Sequence, residues 1–468
     1  MKRSLHTLLG LMFCFSVSAA HGEETQVLIA NGQWRQLADS LYQQALEVGS
    51  AKAMTVASMA RYGRYEQALA LAREGSFPVT QLRVVQVADD VPQAQRLEVV
   101  SGIKCDDGYQ TNIQLASTYL TLNRQDQAVE VYKRMLQRGR DQPLLVRMLA
   151  GEIRETDDLQ VMRAMAPLLE VAAKDLSNDW HAAGTMAHLA YVYARLGQME
   201  RAENALRAAY KTASWGDRER IRPEIVEAAL TIGRPDLAEK YDGNADYSWM
   251  NYKVRQGDYL GAMQRAERVP DNVEAAVQHV ENYAVRHGAT SPNLPALVSF
   301  LESFKAKRSI SYTVGQLVLA GVYAERGEAA LAHEALRRGA DSLPKDGTET
   351  GADHIQAAVK LGLTARKLGF DDLSRSLTSR VPGMLATLQG DAKGHVQAWL
   401  NASYMFYHVD DEVAAREDFA RAYQAMSTLP KGKDGGSRYE ASRTRVELLL
   451  SMAQVAQTMA DGDKPESL

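Results

Sequence analysis

Apolar residues recur along most of this chain at steps of three and four, and polar turns interrupt them at near-regular intervals. The stretch from Ala182 to Tyr210 shows the unit most plainly. Met186, Leu189, Ala190 and Tyr193 form one apolar stripe, and Ala202, Ala205, Leu206 and Ala209 form a second, each at the period of an α-helix. Between them, Leu196-Gly197-Gln198 reads as a tight turn, with Gly197 supplying the backbone freedom that ends the first helix. Small residues, Ala190 and Ala202, mark where the two helices approach closely. A pair this short cannot bury its apolar faces alone, so the pattern predicts similar neighbours on both sides.

Turns between helices are expected near Gly32, Gly63, Asp89, Asn123, Thr156, Gly197, Gly233, Gly257, Gly288, Gly327, Gly369 and Asp410. Their spacings run from 24 to 42 residues, which is what a continuous array of helix pairs would give. Strand signals are almost absent, because Val, Ile and Thr never alternate with polar residues over a useful length. The fold class read from this pattern is all-α, an α-α superhelical solenoid of about a dozen helical pairs.

The same spacing of particular residues recurs. It runs through Leu189, Ala190, Tyr193, Gly197, Ala202 and Leu206, and again through Leu115, Ala116, Tyr119, Asn123, Ala128 and Tyr132. A third copy has Leu319, Ala320, Tyr323, Gly327, Ala332 and Leu336, followed by Pro344. A degenerate fourth has Trp399, Ser403, Phe406, Asp410, Ala415, Phe419 and Ala422. These residues resemble the tetratricopeptide repeat, whose unit is ~34 residues. The resemblance implies a right-handed superhelix whose first helices line a concave face, and its members bind diverse partners. It places Ala187, Tyr191 and Ala194 on that face in one unit, and Leu400, Tyr404 and Tyr407 in another. Tyr191, Tyr404 and Tyr407 are therefore the candidate contacts for a protein or peptide partner, the alternative being that these rings pack against the next repeat. The clamp that some members close on a C-terminal carboxylate needs Lys and Asn, and the matching positions here hold Ile113, Ala187, Leu317, Ser117, Tyr191 and Gly321.

The first twenty residues stand apart. Lys2 and Arg3 precede an uncharged run from Leu8 to Val17 and then small residues, the layout of a secretory signal peptide cleaved after Ala20. The alternative, a membrane anchor, would need a longer apolar run. No later segment is apolar enough to span a bilayer, so no membrane insertion is expected once residues 1–20 are removed. Removal of Lys2 and Arg3 from the 54 basic residues leaves 52 against 58 acidic ones. That balance invites neither nucleic acid nor an anionic membrane. Cys14 leaves with the signal, so Cys105 alone remains and no intramolecular disulfide is possible. Export, to the periplasm in a cell with two membranes, is the expected localisation.

Repeats are expected over 21–210 and again over 211–427. Two polar stretches, 211–223 and 285–295, read either as hinges or as longer turns. The clearest break is the loop from Leu429 to Ser437. After it, 439–459 reads as one amphipathic helix that caps the last repeat, and 460–468 as a disordered tail.

The sequence carries fragments of chemical motifs, none of them complete. His333-Glu334 opens like a zinc-protease helix, but Arg337 stands where the second His belongs. His181 and His188 are seven apart and share a face only on an unbroken helix. Lys431-Gly432-Lys433 with Gly435-Gly436 lacks the order of a phosphate loop, and Asp242-Gly243-Asn244-Ala245-Asp246 lacks the calcium-loop pattern. The acidic pairs Asp157-Asp158, Asp371-Asp372 and Asp410-Asp411 sit where Asp caps a following helix. No catalytic residue, metal site or cofactor is predicted. The expectation is a scaffold for protein interactions, or else a non-catalytic subunit accompanying a cell-wall or polysaccharide enzyme.

Overall fold

The computed structural model describes residues 23–48, 52–74, 78–103, 108–176, 180–212, 215–242, 246–269, 273–304, 310–345, 347–429 and 437–462. The expected signal peptide, Cys105, the loop residues 430–436, residues 243–245 and the tail from 463 lie outside these. Among the described residues the chain is a helical-repeat protein, and its one sheet is a two-residue parallel pairing of Thr350–Gly351 with Leu388–Gln389. The chain divides into two compact units, one of residues 65–300 and one of residues 1–64 with 301–468. Each is an all-α superhelical stack.

In the 65–300 unit, helices pair in sequence order: Tyr109–Thr121 with Gln125–Gly139, Pro143–Glu155 with Leu159–Asp175, Trp180–Arg195 with Met199–Thr212, Trp215–Thr231 with Pro235–Asp242, and Asp246–Arg255 with Tyr259–Ala266. The first helix of each pair from Pro143 onward packs on the first helix of the next, ending on Val273–His287, so the first helices make one layer. In the organising pair, Leu189, Ala190, Ala202, Leu206 and Ala209 are fully enclosed, as the two apolar stripes require. Tyr193, also buried, donates its hydroxyl to Glu170 of the preceding repeat, while Arg201 stacks over the ring at 4.2 Å and reaches the same carboxylate at 2.6 Å. Burial alone would push the Glu170 carboxyl up, but bonds from Lys174, Tyr193 and Arg201 outweigh it and hold it down at about 2.

The turns follow one chemistry. At Gly197 the amide of Gly197 bonds the carbonyl of Ala194 at 2.9 Å and that of Gln198 bonds Tyr193 at 2.8 Å, closing the helix end with φ at +73°. The same two-bond closure recurs at Gly32, Gly63, Asn123, Gly233, Gly257, Gly327, Gly369 and Asp410, each with positive φ. Three expected turns differ. The left-handed residue is Asp157 rather than Thr156, Asp89 does not have positive φ, and Gly288 opens a short 3-10 turn, Gly288–Thr290. Within Asp157-Asp158 and Asp410-Asp411 the labour divides: the first Asp takes the left-handed backbone and the second caps the helix, Asp158 accepting from Gln160 and Val161 and Asp411 from Ala414. Asp371-Asp372 departs from this, because Gly369 already takes the turn and Phe370 the cap position, leaving both acids in the first helical turn. There they face the positive end of the helix dipole.

The polar stretch 211–223 is mostly helix. It ends Met199–Thr212 and opens Trp215–Thr231, which accommodates Pro223, and the helices on both sides belong to one unit.

In the other unit, Ile310–Glu325 pairs with Ala329–Ser342, Ala352–Lys367 with Asp371–Ala386, and Ala392–His408 with Glu412–Ser427. The last helix, Ser437–Asp461, sits where a terminal cap was expected, and its main partner is the helix Trp34–Glu47 from near the other end of the chain. Leu448, Leu449 and Leu450 are consecutive and all buried, so the helix hides far more than one face and needs packing on both sides. Trp34 of that partner helix packs in turn on the preceding pair, 5.6 Å from the ring of Phe419 and edge-on to Tyr407 at 6.4 Å. Arg35 pairs with Asp461 at 2.7 Å, and Tyr423 donates to Gln44 at 3.1 Å. The final helix pair is thus composite, one member from each end of the chain.

Candidate interaction face

The layer of first helices in the 65–300 unit carries a cluster of polar and aromatic side chains. Helix Pro143–Glu155 buries Val146, Leu149, Ala150 and Ile153, which leaves Arg147 and Arg154, seven apart, on another face. Helix Trp215–Thr231 places Glu224 and Glu227 just after Pro223. Arg147 pairs with Glu224, and Arg154 reaches Glu227 at 2.8 Å. These partners lie on helices that flank a third, Trp180–Arg195, so each pair bridges across the helix between them.

Gly184 makes the first crossing possible. A Cβ there would lie 2.5 Å from Nε of Arg147 and 3.2 Å from Oε2 of Glu224. The middle helix also supplies aromatic platforms, with the Arg147 guanidinium 4.4 Å from the ring of Trp180 and that of Arg154 5.1 Å from the ring of Tyr191. His188 lies between the two arginines. Burial first, then Arg154 and Arg147, push its imidazole down to about 4, so it is neutral near pH 7.

His181 and His188 do share one unbroken helix, as their spacing allows. They have different neighbours: the ring of His181 lies 3.9 Å from that of Trp180. Among the described residues no group of three or more His, Cys, Asp or Glu side chains is placed to hold a metal. His333 packs edge-on against Phe370 at 4.8 Å.

Of the three candidate tyrosines, Tyr191 lies in this bridged face and is half-buried. Tyr404 and Tyr407 belong to the other unit and face packing. Tyr404 is 6 % exposed beside His408, and Tyr407 donates its hydroxyl to the carbonyl of Met459 at 2.5 Å. The arginines, glutamates and Trp180 were missed in the sequence because the pairs join residues 77 and 73 positions apart. The one local signal is Gly184 inside an otherwise helical run, where glycine costs about 1 kcal/mol relative to alanine.

Two outcomes are expected here. Replacement of Glu224 by Gln leaves the Arg147 guanidinium without its charge partner and should lower stability by about 1–3 kcal/mol. A double-mutant cycle with Arg147→Met, followed by urea denaturation, checks it, and strict additivity would contradict the bridge. Since the folded pKa of His188 lies below its ordinary 6.5, the unfolded chain binds the proton more tightly. Its contribution to stability is therefore complete above pH 6.5 and lost as pH falls toward 4. His188→Gln should flatten the pH dependence of the denaturation midpoint in that window, and an unchanged slope would refute the assignment.

No family model matches the sequence, and no curated protein matches it. Among solved structures the chain is matched to a "Circular tandem repeat protein with novel repeat topology and enhanced subunit contact surfaces", at 15 % identity over 95 % of this chain and 97 % of that one, with a TM-score of 0.14. A score that low supports no argument about function. No described helix is long and apolar enough to cross a membrane.

Proposed function

We propose that the mature chain is an exported, non-catalytic tetratricopeptide-like scaffold that binds a protein or peptide partner on its first-helix face. The observation that carries the reading is the bridged cluster of Arg147, Trp180, Glu224, Arg154, Tyr191 and Glu227. Arg, Trp and Tyr are the residue types that dominate the energetics of protein interfaces. Here their flat groups are held in place by neighbours, so little conformational entropy remains to be lost on binding. The recurring Leu-Ala-x-x-Tyr and Gly spacing supports the family reading, and the charged, apolar and small residues of 1–20 support export.

Affinity capture of the mature protein from an envelope extract, with mass spectrometry of what remains bound, tests this. A stoichiometric protein partner is expected that is retained by the parent chain and lost with Tyr191→Ala plus Arg154→Ala. Equal capture by parent and variant would overturn the assignment of the face. A cell-wall or polysaccharide enzyme as the partner would favour the accessory-subunit reading within the same proposal.

A further inference from the structure

A second face of the 65–300 unit carries a row of rings. Helix Val273–His287 presents His279, Tyr283 and His287 at successive four-residue steps, about 6 Å of rise each. Their ring centroids lie 6.0 Å and 4.2 Å apart, and Tyr247 of the neighbouring helix extends the row, 5.0 Å from His279. The adjoining stripe of Ala276, Val280 and Ala284 is buried, while His279, Tyr283 and His287 are half-buried at its edge and Tyr247 is 45 % exposed.

Charge is distributed unevenly around the row. Arg255 donates from Nε to the Tyr283 hydroxyl at 2.6 Å and lies 5.7 Å from that ring. Neighbouring cations hold carboxylates: Lys253 holds Asp258, and Arg265 holds Asp246 and Glu239. Among the described residues neither Arg255 nor Arg286 has a carboxylate partner. The field they create is felt by the imidazoles, since burial and then Arg286 lower His279, and burial, Arg255 and Arg286 lower His287. Polar side chains flank the rings, with Asn251 hydrogen-bonded to His279 at 2.8 Å and Gln278 donating to Asn282 at 3.0 Å.

We infer that this aromatic row, with Arg255 and Arg286 beside it, is a binding face for an acidic polysaccharide. Ring faces and edges in a line match the apolar C–H faces of successive pyranoses. Guanidinium groups match uronate carboxylates, by the bidentate geometry that arginine favours. The amides and imidazoles match sugar hydroxyls. An acidic peptide would match the guanidiniums but has no succession of flat C–H faces to meet a line of rings. Single-stranded nucleic acid carries a charge on every phosphate and is held by an extended basic groove; two guanidiniums in a chain of net charge −4 offer little of that. The inference does not depend on the protein-binding reading.

The test is affinity electrophoresis of the full chain through gels containing polygalacturonate, with dextran gels as the neutral control. The parent chain is expected to be retarded by polygalacturonate alone. Tyr247→Ala with Arg255→Gln, both exposed positions, should weaken that retention about tenfold with unchanged thermal unfolding. Tyr283→Ala should weaken it as well. Equal migration in both gels would overturn the proposal, as would undiminished retention of the double variant. Competition at lower concentration by poly-glutamate or by a single-stranded oligonucleotide than by galacturonate oligomers would also overturn it.

Discussion

Trp34→Ala is expected to lower stability by about 3–5 kcal/mol, the range for removing a large aromatic side chain from a packed core. Trp34 is 8 % exposed and touches rings from two different helices, Phe419 and Tyr407. Tyr407 in turn holds the carbonyl of Met459, near the end of the last helix. Truncation therefore opens a cavity between Trp34–Glu47 and the preceding pair and frees the Tyr407 ring that holds the last helix. In a repeat array stability is a sum of local terms, so the damage should begin there. Hydrogen exchange is the direct measurement: amides of Trp34–Glu47 and Ser437–Asp461 should lose protection together, while those of Trp180–Arg195 keep theirs. Protection unchanged in Ser437–Asp461 would show that the composite pair is not held through Trp34.

Ala190→Leu and Ala202→Leu should each cost about 1–3 kcal/mol by overpacking. Both alanines are fully enclosed, one on each helix of the organising pair. Three added carbons at either site must displace the facing helix, since interiors are packed as densely as organic crystals. Chemical denaturation followed by far-ultraviolet circular dichroism measures the loss. Unchanged midpoints in both variants would mean that the two helices are further apart than their small residues require.

Much of this architecture is legible in one dimension because its determinants are local. The apolar stripes at Leu189, Ala190 and Tyr193 and at Ala202 and Leu206 mark helices through a period of 3.6 residues. Gly32, Gly63, Gly197, Gly233, Gly257, Gly327 and Gly369 mark turns because each must adopt a positive φ that costs other residues energy. Asn123 and Asp410 were readable for the same reason, as they are among the few side chains that tolerate this region. Thr156 misled by one position because Asp157 beside it tolerates the left-handed backbone better than a β-branched threonine. The polar run 211–223 misled more widely, since its charges lie on a helix that Pro223 does not end.

The interaction face and the composite pair had no such signature. Arg147 and Glu224 meet only because the helices of three successive repeats are stacked with Gly184 between them. Tyr191, Tyr404 and Tyr407 occupy comparable positions in their units. Tyr404 is nevertheless buried beside His408 of its own helix, Tyr407 reaches the last helix, and Tyr191 sits under an arginine. What separates them is the identity of the neighbouring helix, not the residue itself.

The amino-acid sequence by itself determined that the chain is a series of short helix pairs, where most of them turn and which residues face inward. Those properties follow from backbone preferences and from apolar periodicity, which act over a few residues. Only the tertiary structure decided that Ser437–Asp461 takes its partner from residues 34–47, that Arg147 crosses to Glu224, and that His279, Tyr283, His287 and Tyr247 align in one row. Such contacts depend on how whole helices stack. That stacking is set by burial, which is non-directional and does not specify in the sequence which distant surface will satisfy it.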